Sequence, residues 1–325
     1  MNSSQAYSEL DLINILLTMC MPLSGPAQNN ILFKEGYRII SIDRDVHIDG
    51  VTVKYDIVLS SSKKDITLCF ELKGYKVSNI EKEQFDKYKG ISVEEFTRLS
   101  GIYSKNRHEH KLQTLIGINM ENIPKVESFQ VKKGYSFPIL GFGSQEITVH
   151  FKKIEDEEVD EAFVNGFQIK QGYSKVIHFD KESTDLDIAH RMIAYIFSLA
   201  KRNQLSFTVD QAVEETYCTA KSLYKIIGPD VKKAVRSRMM KLLKKLSLEE
   251  FKEYIEWDTK ERTWLIHKVG PDSHHQTNIA FRKASLKFLE RLKSNAPFNK
   301  EEKVPPGQMS LDMFDELFME ENIFE

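Results

Sequence analysis

Two apolar runs joined by a short polar segment constrain the fold of this chain more than any other feature. The first run is YDIVL at residues 55–59, and the second is ITLCFELKG at residues 66–74. Their lengths and apolar content are typical of buried strands, and the polar residues between them predict a turn. We therefore expect a hairpin inside a sheet that is covered by other elements.

Three ionisable residues interrupt these apolar strands. Asp56 lies near the start of the first run, and Glu71 and Lys73 lie two residues apart on the second. Because side chains alternate along a strand, Glu71 and Lys73 should share one face while Leu72 points into the core. The hairpin would bring Asp56 toward them, so that all three groups converge at an edge of the sheet.

Converging carboxylates are costly to bury unless a cation neutralises them. Oxygen ligands with an open coordination sphere suit Mg²⁺, which can activate water and hold a phosphoryl oxygen. Lys73 could position that water or offset developing charge, so the pattern predicts phosphodiester hydrolysis. The alternative is an exposed cross-strand ion pair between Glu71 and Lys73, with Asp56 capping a turn.

The order Asp56, fourteen intervening residues, then Glu71-Leu72-Lys73 resembles the core signature of the PD-(D/E)XK, or restriction-endonuclease-like, superfamily. Tyr55 takes the position of the proline. The segment from Gln84 to Tyr88 resembles the Q-x-x-x-Y element of the RecB-like branch, on a helix expected at residues 79–91. Gln84 and Tyr88 are four apart and so share a helix face, which in that family borders the metal site and the DNA.

The resemblance implies an α/β fold with a mixed central sheet flanked by helices, and a Mg²⁺-dependent DNA endonuclease for which Mn²⁺ can substitute. Its catalytic residues would be Asp56, Glu71 and Lys73, joined by Glu9 of a first helix, SQAYSELDLINILLTMC. The metal ligands would be Asp56, Glu71 and Leu72. The alternative for Glu9 is an exposed carboxylate favoured by the helix dipole.

Domain boundaries are expected at acidic and proline-rich segments. We assign residues 1–155 to the nuclease domain, 156–294 to a mostly helical domain and 295–325 to a flexible tail. Two helices in the middle domain, split at Gly228-Pro229 and followed by a TWLIHKV strand, loosely resemble a winged helix. The second helix is basic, and the residues predicted to contact DNA are Gln84, Tyr88, Lys232, Lys233, Arg236, Arg238 and Lys241. A merely solvated basic face is the alternative.

The tail contains a short motif after Pro305-Pro306-Gly307. It resembles the bacterial sliding-clamp-binding motif, and the matching residues are Gln308, Leu311, Met313 and Phe314. Such a motif orders as a few apolar anchors fill a preformed pocket. The alternative is an amphipathic helix that packs on the body.

Charge and cysteine usage agree with a nucleic-acid enzyme in a reducing compartment. Residues 299–325 carry eight acidic and two basic side chains, a charge of −6, so the rest of the chain carries +4 of the net −2. The three cysteines are scattered, and no signal peptide or membrane span is visible, which predicts a cytoplasmic protein.

We therefore expect a clamp-tethered DNA nuclease in anti-phage defence or a mobile element. A homodimer or a further defence subunit is a possible partner. The alternatives are a catalytically silent DNA- and clamp-binding adaptor that blocks replication, and a replication-linked repair nuclease.

Overall fold

A computed structural model of the chain describes residues 6–22, 30–75, 82–105, 108–169, 173–269 and 275–294. The described residues divide into two compact units. The first unit contains the described residues up to 177 and residues 222–231, and the second contains residues 178–221 and the described residues from 232 to 294. The chain therefore passes from one unit to the other three times.

The first unit contains a sheet and the helices that pack on it. Its described strands are β1 (Arg38–Ile48), β2 (Val51–Ser61), β3 (Ile66–Lys73), β4 (Lys111–Asn119), β5 (Ile139–Phe142), β6 (Glu146–His150) and β7 (Phe167–Gln168). Its described helices up to residue 177 are α1 (Glu9–Met19), α2 (Ile31–Lys34), α3 (Lys82–Lys89), α4 (Val93–Leu99), α5 (Ile123–Lys133) and α6 (Glu157–Val164), with a 3-10 turn at Met120–Asn122.

All seven strands form one mixed sheet in the order β1-β2-β3-β4-β5-β6-β7. The β3–β4 and β4–β5 pairs are parallel, and the other neighbours are antiparallel. Helix α1 packs against β3, α3 against β2, α5 against β5 and α6 against β6. The predicted α/β fold with a mixed sheet flanked by helices is confirmed.

The predicted hairpin is formed by β2 and β3. These strands are antiparallel, with Ile57 opposite Phe70, and the turn between them uses Asp65 at a φ of 52°. Residues 66–72 of β3 are all buried, as a strand in the interior of a covered sheet requires. Because β4 pairs with the other side of β3, the expectation that the ionisable residues lie at a sheet edge is wrong. They lie at the carboxyl end of an interior strand.

Helix α1 joins the beginning of the first unit to its end. Ser8 caps the helix, and its side chain and that of Asp11 each accept a hydrogen bond from the other's backbone N–H. The buried Asn14 amide donates to Ile177 O at 3.0 Å and accepts from Val176 N at 2.8 Å. These bonds, together with the pairing of β7 on β6, extend the first unit beyond the boundary predicted at residue 155.

The segment from 222 to 231 returns the chain to the first unit. Gly228 N donates to Ile42 O at 2.9 Å, and Ile227 pairs with Ile42 in an isolated bridge. A Cβ atom at Gly228 would lie 2.0 Å from the carbonyl oxygen of Asp43, so the two backbones can approach this closely only at a glycine. Pro229 then begins the next helix, α10 (Pro229–Leu248), which confirms the predicted break between two helices.

The second unit is largely helical, as predicted. Its described elements are α7 (Asp185–Lys201), β8 (Ser206–Phe207), α8 (Val209–Tyr217), the start of α9 (Lys221–Ile226), most of α10 (Pro229–Leu248), β9 (Ile255–Asp258), β10 (Thr263–Ile266) and α11 (His275–Ser294). The three short strands form an antiparallel sheet in the order β8-β10-β9. The winged-helix resemblance of this unit stays a prediction. None of the described helices is long and apolar enough to cross a membrane.

Candidate active site

Three of the four predicted catalytic groups converge at the carboxyl end of β3. Asp56 on β2 is 9% exposed and Glu71 on β3 is 2% exposed. The Leu72 N–H donates to Asp56 Oδ2 at 2.6 Å, which holds Asp56 directly against β3. Lys73 forms an ion pair with Glu71. The hairpin therefore places two buried carboxylates and one ammonium group in a single cluster.

This cluster contains more acidic than basic side chains. Burial raises the pKa of Asp56 well above its usual value, and the charges of Glu71, Glu9 and Asp43 add to that rise, while the hydrogen bond from Leu72 opposes it. Ionised Asp56 is therefore unfavourable unless a positive charge compensates it. Burial by itself would lower the pKa of Lys73, but attraction to Glu71 raises it, so Lys73 remains an ammonium group.

Tyr88 and Gln84 of α3 form a hydrogen-bonded chain that ends on Glu71. Gln84 Nε2 donates to Tyr88 Oη at 2.6 Å, and Tyr88 Oη donates to Glu71 Oε2 at 2.5 Å. Burial and then the charge of Glu71 raise the pKa of Tyr88, so the hydroxyl keeps the proton that it donates. Tyr88 is buried and contacts Glu71, a predicted metal ligand. Of the two α3 residues predicted to contact DNA, Gln84 is the more accessible.

Tyr88 is held by aromatic packing as well as by hydrogen bonds. Its ring stacks on Tyr55, with centroids 4.4 Å apart and planes 16° apart. Tyr55 is itself fixed by a hydrogen bond to Thr114 on β4 at 2.7 Å. Tyr55 thus supports the tyrosine that contacts Glu71.

Glu9 joins this cluster through the close approach of α1 to β3. A Cβ atom at Gly74 would lie 2.6 Å from Glu9 N, so the first turn of α1 abuts the end of β3. The charge of Glu9 contributes to the raised pKa of both Asp56 and Lys73. The structure therefore brings all four predicted catalytic residues into electrostatic contact.

Asp43 is a further carboxylate that the sequence analysis missed. It lies on β1 between the paired positions Ile42–Ile57 and Arg44–Tyr55, and so faces Asp56 on β2. It adopts a φ of 53° and forms an ion pair with Lys54 at 2.8 Å. The sequence signal that could have located it is Asp49-Gly50, a dipeptide typical of a two-residue hairpin turn, and both residues have a positive φ in the structure.

The donors present fit a single Mg²⁺ ion. Mg²⁺ is commonly bound through one or two carboxylates and keeps several of its waters, and Asp56 and Glu71 supply such a pair. Leu72, the third predicted ligand, has a buried apolar side chain and could offer only its backbone oxygen. Over the residues that the structure describes, no group of three or more His, Cys, Asp or Glu side chains is arranged to hold a metal ion.

Some cationic side chains of the basic helix α10 pack against neighbouring segments, and others are exposed. Arg238 donates to the carbonyl oxygens of Asp180, Lys181 and Ser183 at 3.3, 3.0 and 2.5 Å and pairs with Asp185 at 3.0 Å. These contacts hold the segment that begins α7.

The other cations of α10 also differ in their surroundings. Arg236 pairs with Asp210 of α8 at 2.7 Å, and Lys232 is half-buried. Lys233 and Lys241 are the exposed members of the predicted set. The predicted clamp-binding residues, Gln308, Leu311, Met313 and Phe314, lie outside the described residues.

Comparison with known proteins gives one finding. The family model of the MJECL32 domain matches residues 8–179, just over half of the chain. The match begins at Ser8, the cap of α1, and ends two residues after Ile177, so it contains the whole cluster and excludes α10 and the tail. No curated protein and no solved structure matches the chain.

Proposed function

The chain belongs to the MJECL32 domain family, and because the matched domain contains the whole carboxylate cluster, we propose that it is a Mg²⁺-dependent nuclease that hydrolyses phosphodiester bonds in DNA. The observation that carries the proposal is the convergence of Asp56, Glu71 and Lys73 at the carboxyl end of β3. The sequence order and the burial of these residues support the roles inferred for them.

The charge balance of the cluster supports a bound cation over a purely structural ion pair. Four carboxylates, Glu9, Asp43, Asp56 and Glu71, stand together with two lysines, Lys54 and Lys73. A structural pair would be balanced, since buried uncompensated charge is strongly unfavourable. Where Asp56 is ionised, the excess negative charge would destabilise the cation-free protein, and a bound cation would relieve it.

Each residue of the cluster has a defined part in the proposed reaction. Asp56 and Glu71 would hold the cation, which when bound lowers the pKa of water and stabilises charge on a phosphoryl oxygen. The Leu72 N–H and the Tyr88 hydroxyl fix the two carboxylates. The Lys73 ammonium, which pairs with Glu71, would orient the attacking water or stabilise the developing negative charge.

The second unit would hold the DNA backbone without reading its sequence. Lys233 and Lys241 are exposed on α10 and are eight residues apart, so they lie on the same side of the helix. Contacts from such lysines to phosphates give affinity and orientation but little specificity. The clamp motif of the tail would raise the local concentration of the nuclease on newly copied DNA.

A catalytically silent DNA-binding protein is the second candidate. It is favoured by the direct ion pair between Glu71 and Lys73, which already compensates one carboxylate without a metal. The two candidates differ in one measurable property, because only the nuclease breaks phosphodiester bonds.

Cleavage assays on plasmid and single-stranded DNA, with Mg²⁺, Mn²⁺ or a chelator, decide between them. We expect Mg²⁺-dependent nicking that is lost in Asp56→Asn, Glu71→Gln and Lys73→Met. Lys64→Met is the matched control, because Lys64 is about as buried as Lys73 (16% and 18% exposed) and is also ion-paired. Lys64 precedes β3 and lies roughly 25 Å from the cluster, so its variant should lose stability but keep cleavage. Full activity of Lys73→Met, or no cleavage by the unmodified protein, would refute the proposal.

A further inference from the structure

Asn119 lies at the same end of the sheet as the carboxylate cluster. It is the last residue of β4, and the preceding residue, Ile118, pairs with Lys73 of the parallel strand β3. Its side chain is 2% exposed, and the catalytic groups proposed above do not include it. A buried amide at this position needs hydrogen-bond partners on all sides, because unpaired buried polar groups are costly.

The Asn119 amide binds the backbone of one residue with both of its polar atoms. Asn119 Oδ1 accepts from Tyr7 N at 2.6 Å, and Asn119 Nδ2 donates to Tyr7 O at 2.9 Å. This two-point contact fixes the position and the direction of the chain at Tyr7. An aspartate could accept the first bond but could not donate the second.

Tyr7 directly precedes the first turn of α1. Ser8 is the cap residue and Glu9 is the first residue of the helix. The close packing of Gly74 against Glu9 N leaves no room for this turn to shift toward β3. The chain is therefore held on one side by Asn119 and on the other by the end of β3, with Glu9 between them.

We infer that Asn119 is a positioning residue that places Glu9 beside the Asp56–Glu71 pair, and thereby strengthens cation binding there. The inference rests on the proposed function. Asn119 does not touch the reacting atoms; it acts through Tyr7 and the first turn of α1. Hydrogen bonds that orient a metal site from outside its ligands typically change metal affinity by about 10- to 100-fold.

The test uses the full chain with Asn119→Ala, Asn119→Asp, Glu9→Gln and the double variant Asn119→Ala/Glu9→Gln. Mg²⁺ binding is measured by calorimetry, and cleavage is measured against Mg²⁺ concentration. We expect Asn119→Ala to weaken Mg²⁺ binding by about tenfold and to raise the Mg²⁺ concentration needed for half-maximal cleavage by a similar factor. Asn119→Asp should share the defect, because it lacks the donated hydrogen bond. In the Glu9→Gln background, Asn119→Ala should cause little further loss of Mg²⁺ affinity.

Asn14→Ala is the matched control for a loss of stability alone. Asn14 is an equally buried amide on α1 that binds backbone at Val176 and Ile177. Its loss should lower the melting temperature and leave the Mg²⁺ requirement unchanged.

The outcomes separate the two proposals. If the unmodified protein cleaves DNA and Asn119→Ala keeps its Mg²⁺ affinity, the positioning role is refuted and the nuclease stands. An equal shift in Asn14→Ala, or full additivity with Glu9→Gln, would refute positioning in the same way. If the unmodified protein neither binds Mg²⁺ nor cleaves DNA, both proposals fail.

Discussion

Replacing Tyr88 by phenylalanine tests whether a single hydroxyl group holds Glu71 in its productive orientation. That hydroxyl donates to Glu71 Oε2 at 2.5 Å and accepts from Gln84 Nε2 at 2.6 Å. Phenylalanine keeps the ring that stacks on Tyr55 at 4.4 Å, so the change removes one oxygen atom and leaves the packing. The buried carboxylate then loses its donor on the α3 side.

The magnitude follows from the charge of the acceptor. A hydrogen bond to a charged group contributes about 1.5–3 kcal/mol, and each 1.36 kcal/mol changes a rate or an affinity about tenfold. We therefore expect Tyr88→Phe to lower cleavage at subsaturating Mg²⁺ by about 10- to 150-fold. Because the pKa of Tyr88 is raised by burial and by Glu71, the hydroxyl stays protonated, and the pH profile of the remaining activity should keep its alkaline limb.

Initial rates of plasmid nicking at a series of Mg²⁺ concentrations measure this effect. Tyr135→Phe is the matched control, because Tyr135 Oη donates to the Asp86 carboxylate at 2.6 Å and its ring stacks on Phe137. That variant loses the same kind of bond to a carboxylate of α3 that is not part of the cluster, and its rate should change by less than about twofold. Wild-type rates in Tyr88→Phe, or an equal loss in Tyr135→Phe, would show that the hydroxyl has no special part in the site.

Asp56→Asn is expected to raise the melting temperature in metal-free buffer at neutral pH, because burial and nearby carboxylates raise the pKa of Asp56 and make its ionised form costly. A carboxyl group whose pKa is raised in the folded state destabilises the protein only at pH values above its unfolded pKa of 3.8. The rise in melting temperature caused by Asp56→Asn should therefore shrink as the pH is lowered. A rise that is independent of pH would contradict this account. Gly228→Ala should lower the free energy of unfolding by about 1–3 kcal/mol, because its Cβ would lie 2.0 Å from a carbonyl oxygen of β1; denaturant melts identical to those of the parent would refute it. Reversing the charges of Lys233 and Lys241 should weaken DNA binding and reduce the slope of log affinity against log salt by about 0.9 for each phosphate that is no longer neutralised, whereas unchanged isotherms would identify a solvated surface. A peptide of residues 299–325 should bind the bacterial sliding clamp with an affinity of about 1 μM in a calorimetric titration, and the absence of binding heat would remove the recruitment model.

The catalytic cluster could be predicted from the sequence because its geometry is local. The alternation of side chains along β3 places Glu71 and Lys73 together, and one hairpin brings back Asp56. The helix carrying Gln84 and Tyr88 was also predicted from its spacing. The spacing could not predict that the Tyr88 hydroxyl donates to Glu71, because this hydrogen bond depends on how α3 packs on the sheet.

Residues whose partners lie on elements that the sequence analysis did not predict were missed or assigned differently. Asp43 faces Asp56 because β1 and β2 form a hairpin at Asp49-Gly50, and that hairpin was not predicted. Arg238 was one of several cations on a basic helix, yet its partners lie on the segment near Ser183, more than fifty residues away. The interior position of β3 likewise depends on β4, which follows two helices later.

The return of residues 222–231 to the first unit has a consequence for how this family's domain can be isolated or exchanged. A fragment that ends at residue 179, where the family match ends, would leave Ile42 O without the Gly228 N–H that it accepts at 2.9 Å. It would also remove the bridge between Ile227 and Ile42. The residues matched by the family model therefore differ from the residues that form the first unit. A recombinant catalytic module or a domain swap designed from the match alone would be expected to aggregate along β1, unless a surrogate for the missing segment were grafted onto that strand.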